Sequence, residues 1–354
     1  MAGKDSCVSG SEKGFSLQVS WLNRWPSVPV LQKPILQIEP FRYNSTMTKS
    51  VLFRMNGVCN AFMREFGCKD CPQCSARKPR AHTSGSLIVR DGGEAHHLLF
   101  DCGMGAINSL YEFEAPFVTH LFLSHNHLDH IAEIDFLVNT QARTGGPDKP
   151  PVYCTEGTQR EGPGGRFPWL DLDYRRVTDR IPIEIGLGIS LRVTPFRVYH
   201  GPTASEPVNW VIEFEDPREH ETRKLILAWD LLHLIPRYPL EDRDEHYRGP
   251  TTEYRNLSDA QASLLRGADA LFIEGNTLTP QPQSGHTSIE TLLRFHIPQI
   301  RAKENFIVHY SGHEDSEGPM SDADLQGWLD SHKREFGLED RHIELARHGT
   351  LLNF

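Results

Sequence analysis

No stretch of this chain is long and apolar enough to span a bilayer. Residues Met1 to Lys13 mix Lys4, Asp5, Glu12 and Lys13 with serine and glycine where a secretion signal would carry an apolar core, so neither export nor membrane association is expected. Cysteine is sparse, 7 in 354 residues, and unevenly spread: Cys68, Cys71 and Cys74 are grouped while Cys7, Cys59, Cys102 and Cys154 stand apart. That is not the spacing of a secreted disulfide framework, and a reducing, cytoplasmic setting is expected. Positive charge is in deficit, since 37 Lys and Arg face 47 Asp and Glu for a net charge of -10, which argues against broad attraction to a polyphosphate backbone. Internal repeats, heptad runs and low-complexity tracts are also missing, which sets aside solenoids and coiled coils.

What is present suits a soluble globular protein: 38% hydrophobic and 24% charged residues. Residues 1–50 are expected to form an N-terminal extension, broken by Pro26, Pro29, Pro34 and Pro40, that wraps the domain or mediates association; a homodimer is compatible with this. Residues 51–354 are expected to form one α/β domain of layered sheets and helices. The runs that read as strands share an ending. Leu98 to Phe100 leads to Asp101, Val118 to Leu123 leads to Ser124 and His125, and Leu191 to Val198 leads to His200. Leu225 to Leu227 likewise leads to Asp230, and Phe306 to Val308 to His309. Each strand delivers a ligand-type side chain to one rim, where sites form on sheet scaffolds. Helices are expected over Ile131–Ala142, over Asp259–Arg266 after Ser258, and over Asp322–Glu335 with Ser321 and Asp324 as an acidic capping box. Gly145–Gly165 and an insertion at 236–256 read as irregular, the second as a lid or substrate-contact loop.

The densest chemistry lies at Ser124-His125-Asn126-His127-Leu128-Asp129-His130. His125 and His127, two apart on extended chain, can aim at one point, and Asp129 and His130 at a helix start can reach a second. Imidazole and carboxylate suit zinc, manganese or iron. His120 and His233 are near neighbours that fit no such pattern.

The His-x-His-x-Asp-His segment resembles the signature of the metallo-β-lactamase superfamily, and the later ligands follow in its order over residues 50–354. The resemblance implies a four-layer αβ/βα sandwich. It implies that His125, His127 and His200 hold one divalent metal, that Asp129, His130 and His309 hold a second, and that Asp230 bridges them. Zinc and manganese both fit. Asp101 matches the aspartate that braces the histidine loop in this superfamily.

Upstream, Cys68, Cys71 and Cys74 lie in a loop at 67–80 at x2, x2 spacing, and three thiolates want a fourth ligand to close a tetrahedral zinc. The loop resembles the structural zinc of the cyclic-phosphate phosphodiesterase family of the carbon–phosphorus lyase pathway and of the related quinone-biosynthesis proteins. His313 matches that family's fourth ligand, although its Cys pair is tighter and its two histidines one residue closer; Cys59 is the alternative. Arg77, Lys78 and Arg80, just after the loop, read as a solvated turn.

A third segment, Ser284-Gly285-His286-Thr287-Ser288, resembles the Gly-His-x-(Ser/Thr) segment of the phosphodiesterase branch, which makes His286 the candidate acid for the leaving group. Taken together, the resemblance implies a binuclear hydrolase. Its paired cations would activate a bridging hydroxide oriented by Asp129, acting on a small or cyclic phosphodiester in preference to nucleic acid. A nuclease, a lactonase, a thioesterase and a non-hydrolytic accessory protein use the same cradle and remain alternatives.

Overall fold

The computed structural model describes residues 49–65, 67–232, 259–281, 285–315 and 318–354. Nearly all of the expected extension, the insertion at 236–256, His233, Ser258 and Ser284 lie outside these residues. Two seven-stranded sheets form the body. The first contains β1 (Ser50–Gly57), β2 (Ser84–Asp91), β3 (Glu94–Phe100), β4 (His120–Phe122), β5 (Val152–Cys154), β6 (Tyr174–Arg176) and β14 (Leu351–Asn353), in the order β14-β1-β2-β3-β4-β5-β6. The second contains β7 (Ile183–Glu184), β8 (Leu191–Arg197), β9 (Val208–Glu215), β10 (Thr222–Ala228), β11 (Ala270–Glu274), β12 (Glu304–Val308) and β13 (His342–Leu345), in the order β13-β12-β11-β10-β9-β8-β7.

Each sheet is half antiparallel and half parallel. Strands β14 to β3 and β7 to β10 pair antiparallel, while β3 to β6 and β10 to β13 pair parallel. Gly92 and Gly93, at φ 56° and 98°, turn β2 into β3 as the two left-handed residues of a tight hairpin.

Strand alternation sorts the side chains into layers. Leu98 and Phe100 of β3 and Phe122 of β4 enter the core shared with the second sheet, where Trp210 and Phe214 meet them. Their neighbours Leu99, Leu121 and Val152 point the other way, into a separate cluster under Ile107, Leu110, Ile134, Leu137 and Val138 from the helices Ala106–Glu112 and Ile134–Arg143. In the second sheet Phe272 lies 4.8 Å from Phe53 and 4.7 Å from Phe306, ring centre to ring centre. Every residue of β11 is buried, which requires a layer on each face; Leu325 and Leu329 of the helix Asp322–Glu335 join that core. The four-layer αβ/βα sandwich expected from sequence is the architecture observed.

The helix Asp322–Glu335 has the expected bounds, and both halves of its Ser321/Asp324 capping box are made. Two local expectations are corrected. The helix expected over Ile131–Ala142 is two helices, Leu128–Ile131 and Ile134–Arg143. Glu133 breaks it: its carboxylate accepts the Gly105 and Ile107 amides at 2.8 Å each while its own amide donates to the Cys102 carbonyl at 2.9 Å. The segment Gly145–Gly165, read as irregular, contains β5 and the helices Glu156–Glu161 and Pro163–Arg166. Its Pro163 is a helix-start proline, and Thr155 caps the preceding helix by accepting the Thr158 amide. Among the described residues no helix is long and apolar enough to cross a membrane.

Candidate metal centre

The parallel strands of both sheets end on one rim. Asp101 follows β3, Ser124 and His125 follow β4, Asp230 follows β10, Glu274 closes β11 and His309 follows β12. Three of these, Asp101, Asp230 and His309, have left-handed backbone at φ 60°, 56° and 61°. The chain turns sharply off each strand there, so the side chain is aimed across the rim, and non-glycine residues adopt this conformation at a cost.

The ligating atoms of His125, His127 and His200 form one cluster, and those of Asp129, His130, Asp230 and His309 a second, each within 4.8 Å. Asp230 lies between them, with Oδ1 3.3 Å from His200 Nε2 and Oδ2 2.7 Å and 2.9 Å from Nε2 of His130 and His309.

The outer nitrogen of each ring has a partner, so a neutral ring donating there would turn the lone pair of its inner nitrogen towards the cluster. His130 Nδ1 donates to Asp101 Oδ2 at 2.8 Å, His200 Nδ1 to the Gly285 carbonyl at 3.0 Å, and His309 Nδ1 to Glu274 Oε1 at 3.2 Å. Ser124 Oγ gives its proton to Asp101 Oδ2 at 2.7 Å and so accepts from His125 Nδ1 at 2.9 Å. His127 is reversed, with Nε2 on Thr203 Oγ1 at 3.0 Å and Nδ1 turned to His200 Nε2 at 3.2 Å. Asp101 is the common brace, since it also accepts the Ser124 amide at 2.8 Å and the Trp229 indole N–H at 2.7 Å.

The fit to divalent cations follows from what the centre leaves undone. Nε2 of His125, His130 and His309 and both oxygens of Asp230 are buried, and none makes a hydrogen bond with good geometry among the described residues. Buried polar atoms left in this way are destabilising unless something else meets them. Converging imidazole lone pairs and carboxylate oxygens are the donor set of zinc and manganese.

Electrostatics divides the cluster. Burial suppresses charge on His125 and His200, pushing the latter down to about 4. At His130 and His309 burial is outweighed by the neighbouring carboxylates, Asp230 foremost, and both pKa values rise well above the usual histidine range. Burial would raise Asp129 and Asp230, but the facing His130 and His309 hold both well below the carboxylate range.

His286 stands at the mouth, 27% exposed in its side chain, with Nδ1 on Glu274 Oε1 and 3.9 Å from Asp230 Oδ1. Glu274 therefore carries both His286 and His309 on one oxygen, while its other oxygen takes the Leu231 amide at 2.6 Å. Glu274 and Trp229 were not singled out from sequence. Glu274 obeys the same strand-end rule as the ligands and was open to that signal; Trp229 lies in an apolar run with nothing to mark its indole.

The second cluster joins Cys68, Cys71, Cys74 and His313, whose ligating atoms also lie within 4.8 Å, with Cys74 Sγ 3.4 Å from His313 Nε2. Cys59 stays outside it, buried with its thiol on the Phe62 carbonyl. His120 packs on Tyr153, ring centres 6.1 Å apart, and belongs to neither cluster.

Comparison with known proteins places this geometry. Residues 96–222 match the beta-lactamase superfamily domain. A ribonuclease Z of Halorubrum lacusprofundi is 37% identical over 67 residues, which span 19% of this chain and 22% of that protein. A diphosphatase of the PhnP family superposes with TM-score 0.58 at 20% identity, covering 86% of this chain and 98% of the other. Zinc-bound PqqB from Methylobacterium extorquens does so with TM-score 0.52 at 16% identity, covering 85% and 99%. The family match is thus confined to residues 96–222, and the two sheets build the metallo-β-lactamase fold.

Proposed function

We propose that this protein is a divalent-metal-dependent phosphodiesterase acting on a small or cyclic phosphodiester. His125, His127 and His200 would hold one cation, Asp129, His130 and His309 a second, and Asp230 would touch both. Cations in that cradle would supply Lewis acidity, lowering the pKa of a water towards neutrality and offsetting charge on phosphoryl oxygens. Cys68, Cys71, Cys74 and His313 would hold a structural zinc.

The observation that carries the reading is the Glu274–His286 pair beside the cradle. A phosphodiester expels an alkoxide, which leaves poorly unless it is protonated. Burial disfavours charge on His286, but Glu274 outweighs it and raises its pKa above the ordinary histidine value. With Nδ1–H on Glu274, Nε2–H is the proton that would pass to the leaving oxygen. Asp129, held ionised by His130 and His309, serves to orient the attacking water and accept its proton. The ribonuclease Z and diphosphatase names attached to the similar proteins belong to phosphate-ester or anhydride chemistry, which supports the same class. The net charge of -10 favours a small substrate over RNA, and the free thiols among the described residues suit the cytoplasm.

The test uses the zinc- or manganese-loaded protein on a ribose cyclic phosphate, on bis(p-nitrophenyl) phosphate and on a tRNA precursor. Cyclic phosphate turnover is expected, and His286→Ala should lower kcat there by about 10² to 10⁴-fold. The loss should be much smaller with p-nitrophenolate, which departs without a proton. Inactivity on every phosphodiester alongside lactone or thioester turnover would overturn the reading, and preference for the tRNA would replace the small substrate with a polymer.

A further inference from the structure

The two halves of the cradle differ in what stands behind their rings. In the cluster of Asp129, His130, Asp230 and His309 each imidazole is backed by a carboxylate: His130 Nδ1 lies 2.8 Å from Asp101 Oδ2, and His309 Nδ1 lies 3.2 Å from Glu274 Oε1. Asp101 and Glu274 are themselves fully buried. In the cluster of His125, His127 and His200 each partner is a neutral oxygen, namely the Ser124 hydroxyl at 2.9 Å, the Thr203 hydroxyl at 3.0 Å and the Gly285 carbonyl at 3.0 Å. His125 reaches Asp101 only through that serine hydroxyl. Exposure divides the halves in the same direction. All four groups of the carboxylate-backed cluster are buried, whereas the three-histidine cluster opens at His127, which is half-buried, with an exposed Thr203 behind it.

Charge follows the same division. Asp129 and Asp230 give the buried cluster two anionic donors, and Asp101 and Glu274 place two more carboxylates behind its imidazoles. The three histidines bring no anion of their own and share Asp230, whose Oδ1 lies 3.3 Å from His200 Nε2. An anion behind an imidazole makes it a stronger ligand, and each such partner is worth about 10 to 100-fold in metal affinity. Buried carboxylates gathered together are costly until a cation offsets them, so an ion gains most where they are densest. An ion held there would also neutralise much of Asp230, the one anion within reach of the other cluster, and would repel a second cation.

We propose that the cradle loads in a fixed order. The cluster of Asp129, His130, Asp230 and His309 takes its cation first and keeps it, and the three-histidine cluster binds the other more weakly, by about 100-fold or more, as an exchangeable ion. The proposal rests on the two-cation part of the phosphodiesterase reading. It makes activity answer to the free metal concentration, because the weaker ion completes the centre.

The experiment titrates the chelator-treated full chain with manganese, followed by equilibrium dialysis and electron paramagnetic resonance. Manganese is the probe because thiolates bind it poorly, which keeps the cysteine cluster out of the count. Two dissociation constants about 100-fold or more apart are expected, with an isolated-ion spectrum up to the first equivalent and a spin-coupled pair only with the second. His127→Ala should remove the weak event and leave the tight one. Asp101→Asn should narrow the gap by about 10 to 100-fold. Crystals of the unmodified protein given one equivalent of manganese should show anomalous density among Asp129, His130, Asp230 and His309 alone, a readout that stands even where a variant fails to fold.

Equal constants, a coupled spectrum from the first ion onward, or first density among the three histidines would overturn the order and leave a two-cation hydrolase intact. Loss of the tight event in folded His127→Ala would do the same. If neither manganese nor zinc binds anywhere in the cradle, the two-cation reading itself fails, and the loading order with it.

Discussion

Asp101 holds His130 in place through one oxygen, with Oδ2 accepting the Nδ1 proton at 2.8 Å inside a fully buried pair. The same oxygen takes protons from Ser124 and Trp229, and Oδ1 takes the Ser124 amide. Four donors thus converge on a group that has only acceptors. In Asp101→Asn the new NH2 must face one of those donors whichever way the amide turns. Metal affinity should fall about 10 to 100-fold, and stability should fall by about 1–3 kcal/mol for each donor left unpaired. Metal titration and urea unfolding of the variant check both.

Glu274 carries two imidazoles, and the phosphodiesterase reading gives them different tasks. Glu274→Gln should weaken both the hold on His309 and the acidity control of His286. Expected is a loss of about 10²-fold or more in kcat for substrates with alkoxide leaving groups, and less for a p-nitrophenyl ester. An equal loss on both would move Glu274 from proton delivery to metal support alone.

The cysteine cluster should bind separately from the catalytic cradle. Purified with excess zinc, the chain should hold about three metal ions, and Cys74→Ser about two, with a lower Tm and the cradle still loaded. A variant that retains all of its metal would show that the thiols and His313 meet without an ion.

His97 provides a pH test remote from the metal centre. It is fully buried, with Nδ1 on the Pro116 carbonyl at 2.9 Å and Nε2 on Ser86 Oγ at 2.7 Å. Burial pushes its pKa down to about 4. The unfolded chain therefore takes up a proton near the ordinary histidine value of about 6.5 while the folded chain does not. The contribution is fully present above that pH and is lost as pH falls from about 6.5 towards 4. Urea midpoints followed between pH 7 and 4 should fall less steeply in His97→Gln than in the unmodified chain.

Much of this site was legible because its chemistry is written at strand ends. Asp101, His125, His200, Asp230 and His309 each follow an apolar run, four of them after parallel strands and His200 after the antiparallel β8, and a strand that exits into a turn delivers its next side chains to the rim. Glu274 meets the same description and was passed over as the end of a run. What sequence could not signal was long-range pairing: Trp229 on Asp101 and Thr203 on His127 become partners only when the two sheets close, and Met104 on His82 only when β2 and β3 pair. The break at Glu133 has the same origin, since its carboxylate answers amides at Gly105 and Ile107, far back in the chain. A local pattern reads those residues as one continuous helix. Gly145–Gly165 differs from its sequence pattern for the opposite reason, because proline and glycine that begin and end short helices look like loop when counted rather than placed.

The left-handed backbone at Asp101, Asp230 and His309 sets the needs of the candidate site against those of the polypeptide. At Asp230 a glycine would relax the main chain and also remove a buried carboxylate whose oxygens make no hydrogen bond with good geometry among the described residues. Chelators should therefore soften the native protein, whereas a D230G chain, already without its central anion, should be nearly indifferent to them. A mutant stripped of the proposed chemistry would then lose less in metal-poor medium than its parent, and robustness would be a poor guide to competence.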